Sequence, residues 1–101
     1  MIIDDIYVAN KLVALKKSAD QRKLRFGVTF AKLKRELNRK RCYYTGIVID
    51  HSKPPSHISI DRIDNDKGYT DDNIVGCSVA ANQFKANLTI EEIGKLYEKI
   101  K

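Results

Sequence analysis

The sequence predicts a small α+β domain, and three stretches of the chain carry this prediction. Residues 57–61 alternate polar and apolar side chains, which is typical of a short strand with one polar face. Residues 74–76 are a second short apolar run, and a helical stretch over 79–85 follows it closely. Residues 4–25 repeat apolar side chains at a helical period. A chain of 101 residues suffices for one modest core, so we expect one compact domain.

The N-terminal part is predicted to contain two helices. The first covers residues 4–25, with acidic side chains in its first turn, and Gly27 is expected to end it. Thr29 is then a suitable cap for a second helix over about residues 30–38.

The middle of the chain is predicted to alternate strands with loops. Residues 47–49 favour a short strand or a turn that leads into a strand, whereas the two prolines within residues 50–56 predict a loop. After the strand over residues 57–61, the segment from Asn65 to Gly68 provides turn chemistry, in which Gly68 is free to adopt a positive φ.

Two further helices are predicted to complete the chain. Ser78 can cap the first of them, over residues 79–85. Thr89 and Glu92 form a capping box for the last helix, over about residues 90–100.

The positive charge is concentrated in the first part of the chain. Residues 1–41 contain twelve Lys and Arg against four Asp and Glu, a net charge of +8, whereas residues 42–101 contain seven against nine, a net charge of −2. This segregation suits a protein that contacts phosphates with one part and holds a metal with the other. A basic surface that only keeps a small protein in solution explains the charge equally well.

Localisation is predicted from two absences. No apolar run is long enough to span a membrane, and the acidic N-terminus is unlike a signal peptide. We therefore expect no membrane partner and a cytoplasmic location, where the two cysteines would be free thiols.

One run of residues resembles the HNH (ββα-metal) endonucleases. It reads Ser59-Ile-Asp61-Arg62-Ile-Asp64-Asn65-x-Lys67-Gly68-Tyr69-x-x-x-Asn73-Ile-Val and is followed by Asn82-x-x-Lys85. It is most similar to the small phage and mobile-element type, which has Asp-Arg where other members have Asp-His. The upstream run Cys42-Tyr43-Tyr44-Thr45-Gly46 resembles the opening knuckle of the same family. The resemblance covers roughly residues 42–89 and is specific, because several unlike residue types recur in order.

The resemblance implies both a fold and an activity. Residues 42–101 would form a ββα-metal core with a C-terminal helix, and residues 1–41 a basic helical arm. The implied activity is that of a divalent-metal-dependent endonuclease that hydrolyses phosphodiester bonds of double-stranded DNA, in the bacterial host cell if the protein is phage-encoded. A monomer with one active site would nick one strand, whereas a homodimer could cut both.

By the same resemblance, Asp61 is the carboxylate ligand of the metal and Asn82 is the ligand from the helix. Oxygen ligands of this kind suit a hard cation, so Mg²⁺ is expected, with Mn²⁺ as a substitute. The residues alone also allow Asp61 to be a strand-end cap and Asn82 to be a helix surface residue.

The resemblance does not fix the identity of the general base. Many family members have a His directly after the Asp, but this chain has Arg62, which has no acceptor and stays protonated. Arg62 is instead expected to bind the scissile phosphate. His57 is the predicted base, although it lies about 13 Å from Asp61 along an extended strand. The alternatives are His51, Tyr43, Tyr44 and water activated by the metal itself, and either His could also be an ordinary surface imidazole.

Asn73 matches the middle Asn of the family, and its side chain is expected to bridge the loop backbone and orient the group that activates water. The remaining predicted site residues are basic side chains that would contact DNA phosphates. They are Lys16, Lys17, Arg22, Lys23, Arg25, Arg39, Arg41 and Lys85. For the basic face of the first helix, simple solvation is the alternative.

Family members often hold a structural zinc with two Cys-x-x-Cys knuckles. The four corresponding positions here are Cys42, Thr45, Ser78 and Ala81, so three of the four ligands are missing. Cys77 lies one residue off the pattern. We therefore expect no structural zinc, and we expect the two cysteines to pack as small buried apolar residues.

A second class of function is a non-catalytic DNA-binding or regulatory module on a degenerate HNH fold. Arg62 and the missing zinc ligands favour this alternative. Nicking of supercoiled plasmid that depends on Asp61 would distinguish the enzyme from the binding module.

Overall fold

In the computed structural model, which describes residues 3–85, helices and short strands alternate along the chain. They are α1 (Asp5–Arg22), β1 (Phe26–Gly27), α2 (Phe30–Leu37), β2 (Ile58–Arg62), β3 (Tyr69–Thr70), β4 (Ile74–Ser78) and α3 (Val79–Lys85). The α+β prediction is confirmed for this part of the chain. The predicted helix over about residues 90–100 lies outside the described residues.

Helix α1 is shorter than predicted. Asp4 caps its start by accepting a hydrogen bond from the Tyr7 N–H at 2.9 Å. The helix ends at Arg22 because Lys23 adopts the left-handed conformation, with φ 57°. The prediction that Gly27 ends this helix was wrong, since Gly27 belongs to β1. A left-handed lysine is uncommon, and composition gives little warning of it.

Helix α2 begins where its cap was predicted. Thr29 Oγ1 accepts a hydrogen bond from the Lys32 N–H at 3.2 Å. Thr29 is in turn fixed from a distant part of the chain, because its N–H and its hydroxyl both donate to the Asp71 carboxylate, each at 2.8 Å.

Helix α2 also packs directly against the backbone of β4. A Cβ added at Gly76 would lie 2.1 Å from the Glu36 carbonyl oxygen, so only glycine fits there. The buried Glu36 carboxylate accepts a hydrogen bond from the Gly76 N–H at 3.1 Å and pairs with Arg39 at 3.0 Å. Burial alone would raise the pKa of Glu36, but these hydrogen bonds and nearby basic groups lower it overall.

The strands form two small sheets. β2 and β4 pair antiparallel, in a register that places Ile58 opposite Ser78 and Asp61 opposite Val75. β1 and β3 pair in parallel, with Phe26 opposite Tyr69. α3 follows β4 without a connecting loop.

Residues 47–49 do not form a full strand; a turn over residues 43–45 leads into a single β-bridge, so of the two predicted alternatives the turn-strand fits better. Only Val48 takes part in a β-bridge, with Arg41, and Ile47 and Val48 are exposed. The Cys42 N–H donates to the Ile47 carbonyl oxygen and the Ile49 N–H donates to the Lys40 carbonyl oxygen, each at 2.9 Å. These two bonds flank the bridge, and the pairing extends no further. Residues 50–56 form the predicted loop.

The core lies between α1, α2 and the β2–β4 pair. Its most deeply buried side chains are Val8, Leu33, Leu37, Ile74 and Cys77. Both Cys42 and Cys77 are buried free thiols, as the sequence predicted. Among the described residues, no helix combines the length and the apolar character needed to cross a membrane.

The loop between β2 and β4 is built against the N-terminal part of the chain. A Cβ at Gly68 would lie 2.2 Å from the Arg25 carbonyl oxygen, so the backbone of the loop touches the backbone beside β1. The Tyr69 N–H donates to the same carbonyl at 2.9 Å. The segment over residues 1–41 therefore shares a sheet with the rest of the protein.

Candidate functional site: the Asp61 cavity

Several of the predicted site residues meet at the C-terminal end of β2. There the strand faces α3 and the last turn of α1 across a largely polar depression, which we call the Asp61 cavity. Its lining residues are Arg22, Ile60, Asp61, Arg62, Asn65, Tyr69, Asn82 and Lys85.

Asp61 is held by two donors on a single carboxylate oxygen. Tyr44 Oη donates to Oδ2 at 2.6 Å, and Lys85 Nζ lies 2.8 Å from the same atom. The side chain is only 12% exposed. Burial and the hydrogen bond to Asp61 raise the pKa of Tyr44 well above its ordinary value, so the phenol stays protonated and acts as a donor.

Lys85 is buried, and its ammonium group is fully coordinated by the protein. Besides Asp61, its Nζ donates to the Arg62 carbonyl oxygen and to Asn65 Oδ1, the latter at 3.1 Å. It also lies 5.7 Å from the centre of the Tyr44 ring. Lys85 was predicted to contact a DNA phosphate; its side chain is 3% exposed and lines the Asp61 cavity, so such a contact would have to be made inside that cavity. Helical spacing placed Lys85 near Asn82, but only the tertiary structure brings it onto Asp61.

Arg62 lies partly over the ring of Tyr69 and partly in the following turn. Its Nη1 donates to the carbonyl oxygens of Asn65 and Lys67, both at 2.8 Å, and its guanidinium carbon lies 5.1 Å from the Tyr69 ring centre. Within residues 3–85 the other guanidinium nitrogens have no hydrogen-bond partner. Arg62 therefore binds the loop backbone through Nη1, and its remaining N–H groups are available to donate to an anion.

Asn73 forms the loop bridge that the sequence predicted. Its Oδ1 accepts from the Asp64 N–H at 2.9 Å, and its Nδ2 donates to the carbonyl oxygens of Asp64 at 3.1 Å and Gly68 at 2.8 Å. The side chain is buried. Asn73 does not line the cavity, so these contacts make it a positioning residue for the loop that carries Arg62 and Asn65.

Asn82 and Asp61 line the same cavity. Asn82 Nδ2 donates to Ser59 Oγ at 2.9 Å, which leaves its Oδ1 without a partner among residues 3–85. Asp61 Oδ1 likewise has no hydrogen-bond partner among residues 3–85, because Tyr44 and Lys85 both contact the other oxygen of Asp61, Oδ2.

These two oxygens suit a hard, hydrated divalent cation. Mg²⁺ commonly takes one or two protein oxygens together with water and substrate phosphate oxygens. Within residues 3–85, no three His, Cys, Asp or Glu side chains come together as a metal cluster. A cation at Asp61 and Asn82 would therefore need oxygens from water or from substrate to complete its coordination.

The predicted DNA-binding residues separate into two groups. Arg22 lines the Asp61 cavity, and Lys17, Lys23 and Arg25 are exposed on the same end of α1 or just after it. Lys16 is exposed too, but it pairs with Asp20 at 2.7 Å.

Arg39 and Arg41 belong to the second group, away from Asp61. Both line a cavity beside α2 whose other lining residues are Ala31, Lys34, Arg35, Asn38, Lys40, Val48, Ile49 and His51. Arg39 is tied to Glu36, and Arg41 Nη1 donates to the Gly46 carbonyl oxygen at 3.0 Å.

His57 is not brought to Asp61. It lies immediately before β2 and lines a separate depression, the His57 cavity, with Ile3, Asp4, Tyr7, His51, Pro54 and Ile58. Its Nδ1 is buried without a hydrogen-bond partner among the described residues. His51 lines this cavity as well. The structure thus gives no support to His57 as the base for water at Asp61, because the extended strand separates the two side chains.

The four positions of the degenerate zinc knuckles cluster through hydrogen bonds. Ser78 Oγ lies 3.8 Å from Cys42 Sγ and accepts a hydrogen bond from the Ala81 N–H at 3.1 Å. Burial would raise the pKa of Cys42, but hydrogen bonds from Thr45 and from the backbone of Ser78 lower it overall. A hydroxyl and backbone donors thus join the two segments that thiolate ligands would join in a zinc knuckle.

Comparison with known proteins gives one curated relative and no family assignment. The chain is 29% identical over 86 residues to an uncharacterized 29.0 kDa protein of the dda-modA intergenic region of Enterobacteria phage T4. This match covers 85% of the chain and 35% of the phage protein, so the chain spans about a third of that relative's length. No family model and no solved structure matches the chain.

Proposed function

We propose that the protein is a divalent-metal-dependent endonuclease that hydrolyses DNA phosphodiester bonds at the Asp61 cavity. The observation that carries this proposal is the composition of the cavity. Asp61 and Asn82, each with one side-chain oxygen that has no partner among residues 3–85, line the same cavity as Arg22 and Arg62. Oxygen donors for a cation and planar donors for a phosphate are the two elements that phosphodiester hydrolysis requires.

The fold supports this proposal through its order of elements. An antiparallel strand pair, β2 and β4, leads directly into α3. In the proposed reading this unit is the ββα-metal motif, with Asp61 on its first strand and Asn82 on its helix. The phage relative is consistent with a phage-encoded protein that acts in the cytoplasm of a bacterial host.

The phosphate would be held by arginine. Arg22 has no partner among the described residues, and Arg62 retains unpaired guanidinium nitrogens, so both can donate to phosphate oxygens. Hydrolysis then adds water across the ester. The water oxygen bonds to phosphorus, the ester P–O bond breaks, and the leaving oxygen takes up a proton. Arg22 and Arg62 would offset the negative charge that develops on the phosphoryl oxygens.

None of the described residues at the cavity is a suitable general base. Arg62 has no acceptor, the Tyr44 phenol stays protonated, and His57 lines another cavity. When bound, a divalent cation would supply Lewis acidity at the phosphate and make the attacking water more acidic. The proton from that water would pass to solvent.

Double-stranded DNA would lie across the end of α1. The exposed basic residues there are Lys17, Arg22, Lys23 and Arg25. Contacts of this kind depend on salt, because each phosphate that a basic residue neutralises releases counterions. A monomer would nick one strand at a time.

A plasmid assay tests this proposal. Supercoiled DNA is incubated with the wild-type protein and Mg²⁺ or Mn²⁺, and the nicked form is measured on a gel. Nicking should require the cation and should disappear in Asp61→Ala. The matched control is Asp20→Asn, which removes an exposed carboxylate that, within residues 3–85, pairs with Lys16 alone. A preparation that nicks equally well after Asp61→Ala would contradict the proposal.

One observation favours the alternative, a non-catalytic DNA-binding module. Asp61 already has a cationic partner, Lys85, so its charge is satisfied without a metal. In this case the protein would retard duplex DNA in a mobility-shift assay in the absence of divalent cation and would never nick it. The two assays on one preparation therefore separate the two functions.

A further inference from the structure

We propose that Lys85 is a built-in counter-cation of Asp61 that keeps the divalent cation weakly bound until a DNA phosphate enters the cavity. This inference rests on the proposed function, because it concerns the same cation and the same substrate. It assigns Lys85 a positioning and regulatory role, whereas the sequence predicted a contact between Lys85 and a DNA phosphate.

The Lys85 ammonium group is surrounded by oxygen acceptors of the protein. Its three N–H donors are matched by three oxygen acceptors, on Asp61, Arg62 and Asn65. The side chain is buried, and one edge of the group faces the Tyr44 ring. A lysine fixed by this many contacts does not swing freely into solvent.

Lys85 and the proposed cation would share one carboxylate. The ammonium lies on Oδ2 of Asp61, and the oxygen left for a metal is Oδ1 of the same group. Two cations on opposite oxygens of a carboxylate repel each other, and the repulsion is strong in a partly buried site where the effective dielectric constant is about 20. The protein alone should therefore bind a divalent cation poorly.

An anion in the cavity would offset the repulsion between Lys85 and the divalent cation. Arg22, Arg62 and Lys85 give the cavity three cationic side chains against the single carboxylate of Asp61. A DNA phosphate would be attracted by this excess and would offset it, and it would also supply oxygens that the cation lacks. By thermodynamic linkage, phosphate and cation should then each tighten the binding of the other.

Mn²⁺ binding tests the inference without relying on activity. Free Mn²⁺ is measured by electron paramagnetic resonance during titration of the wild-type protein, Lys85→Met, Asp61→Asn and the double variant. Each titration is repeated with a short DNA duplex, with the duplex alone as a blank and a gel to check its integrity. Circular dichroism confirms that each variant is folded, and Lys85→Gln replaces Lys85→Met if the latter does not fold.

We expect Lys85→Met to bind Mn²⁺ about tenfold more tightly than the wild type in the absence of DNA. The double variant should lose this gain, because the gain depends on the Asp61 carboxylate. Addition of the duplex should tighten Mn²⁺ binding more in the wild type than in Lys85→Met. Mn²⁺ should also raise the melting temperature of Lys85→Met by more than that of the wild type.

Other outcomes would overturn the inference in distinguishable ways. If Mn²⁺ binds the wild type through Asp61 but binds Lys85→Met equally or more weakly, the role of Lys85 is wrong while the proposed endonuclease stands. If neither protein binds Mn²⁺ with or without DNA, and the wild type does not nick plasmid, both proposals are wrong.

Discussion

The two ends of strand β2 offer different chemistry although they lie only a few residues apart. At the C-terminal end, Asp61 is bonded to Tyr44 and Lys85 and faces a cavity with two arginines. At the N-terminal end, His57 has a buried Nδ1 without a partner among the described residues. It faces a cavity that contains Asp4 and His51. One end holds a carboxylate paired with a lysine, and the other holds a buried imidazole nitrogen without a hydrogen-bond partner among the described residues.

The difference shows why the presence of a histidine is a weak guide to the reacting centre. A general base is useful only within hydrogen-bond reach of the proton that it removes. The lining residues of the His57 cavity include two histidines but no arginine or lysine. Those of the Asp61 cavity include two arginines, a carboxylate and an amide but no histidine.

The largest expected effect is at the charged end. Asp61→Asn should reduce plasmid nicking by at least about 100-fold, the scale expected when a group that acts in the transition state is removed. It should also lower the free energy of unfolding by about 3–5 kcal/mol, because Lys85 is left as a buried charge without a counter-ion. Urea denaturation measures the second effect.

A double variant separates these two causes. Asp61→Asn combined with Lys85→Met removes the buried charge and should regain much of the lost stability, yet nicking should stay absent. Equal stability of the single and double variants would show that the ion pair contributes little to folding.

The second prediction concerns the loop between the strands. Asn73→Ala removes three hydrogen bonds from a buried site, at about 1 kcal/mol each, so the unfolding free energy should fall by about 3 kcal/mol. Nicking should also weaken, because the loop carries Arg62. Asn10→Ala, on the exposed side of α1, is the matched control and should change stability by less than about 0.5 kcal/mol. A stable Asn73→Ala variant with wild-type nicking would contradict this account.

The third prediction concerns the middle of the strand pair, where Glu36 supports Gly76. The pKa of Glu36 is lowered in the folded protein, so its contribution to stability is present above the ordinary value of 4.5 and disappears as the pH falls through the folded value. Glu36→Gln should therefore be less stable than the wild type by about 2 kcal/mol at pH 7. The difference should shrink as the pH is lowered below 4.5. Thermal unfolding over a pH series tests this, and a difference that grows at low pH would refute it.

The smallest effect is expected at the N-terminal end of β2, beside His57. His57→Gln should leave plasmid nicking within about twofold of the wild type, because His57 does not line the Asp61 cavity. Initial rates of nicking at fixed Mg²⁺ measure this. A loss comparable to that of Asp61→Asn would break the comparison between the two ends and restore His57 as a candidate base.

Local signals made part of this structure predictable from sequence. Thr29 caps α2 through a bond to a residue three positions away, and Asn73 bridges backbone groups within nine residues. Alternation predicted β2 because one face of that strand is buried, as Ile58 and Ile60 show.

The remaining features depend on contacts between distant parts of the chain. Lys85 is buried because Tyr44 and Asp61 enclose it, which no helical periodicity can reveal. The segment around Val48 does not extend into a strand, because the pairing is limited to one bridge with Arg41. Lys23 ends α1 in a conformation that usually calls for glycine.

The contact between Gly68 and Arg25 decides whether the Asp61 cavity can form in a fragment that lacks the N-terminal segment. A fragment that starts at Cys42 would contain the whole resemblance motif but would lack β1, the partner of β3. It would also lack the Ser18 hydroxyl, which lies 3.2 Å from the Tyr69 hydroxyl below Arg62. Transplanting the motif alone into another scaffold would therefore leave Arg62 beside a Tyr69 ring that lacks this support. The smallest fragment that keeps this loop intact must include β1 and Arg25, which lie outside the sequence motif.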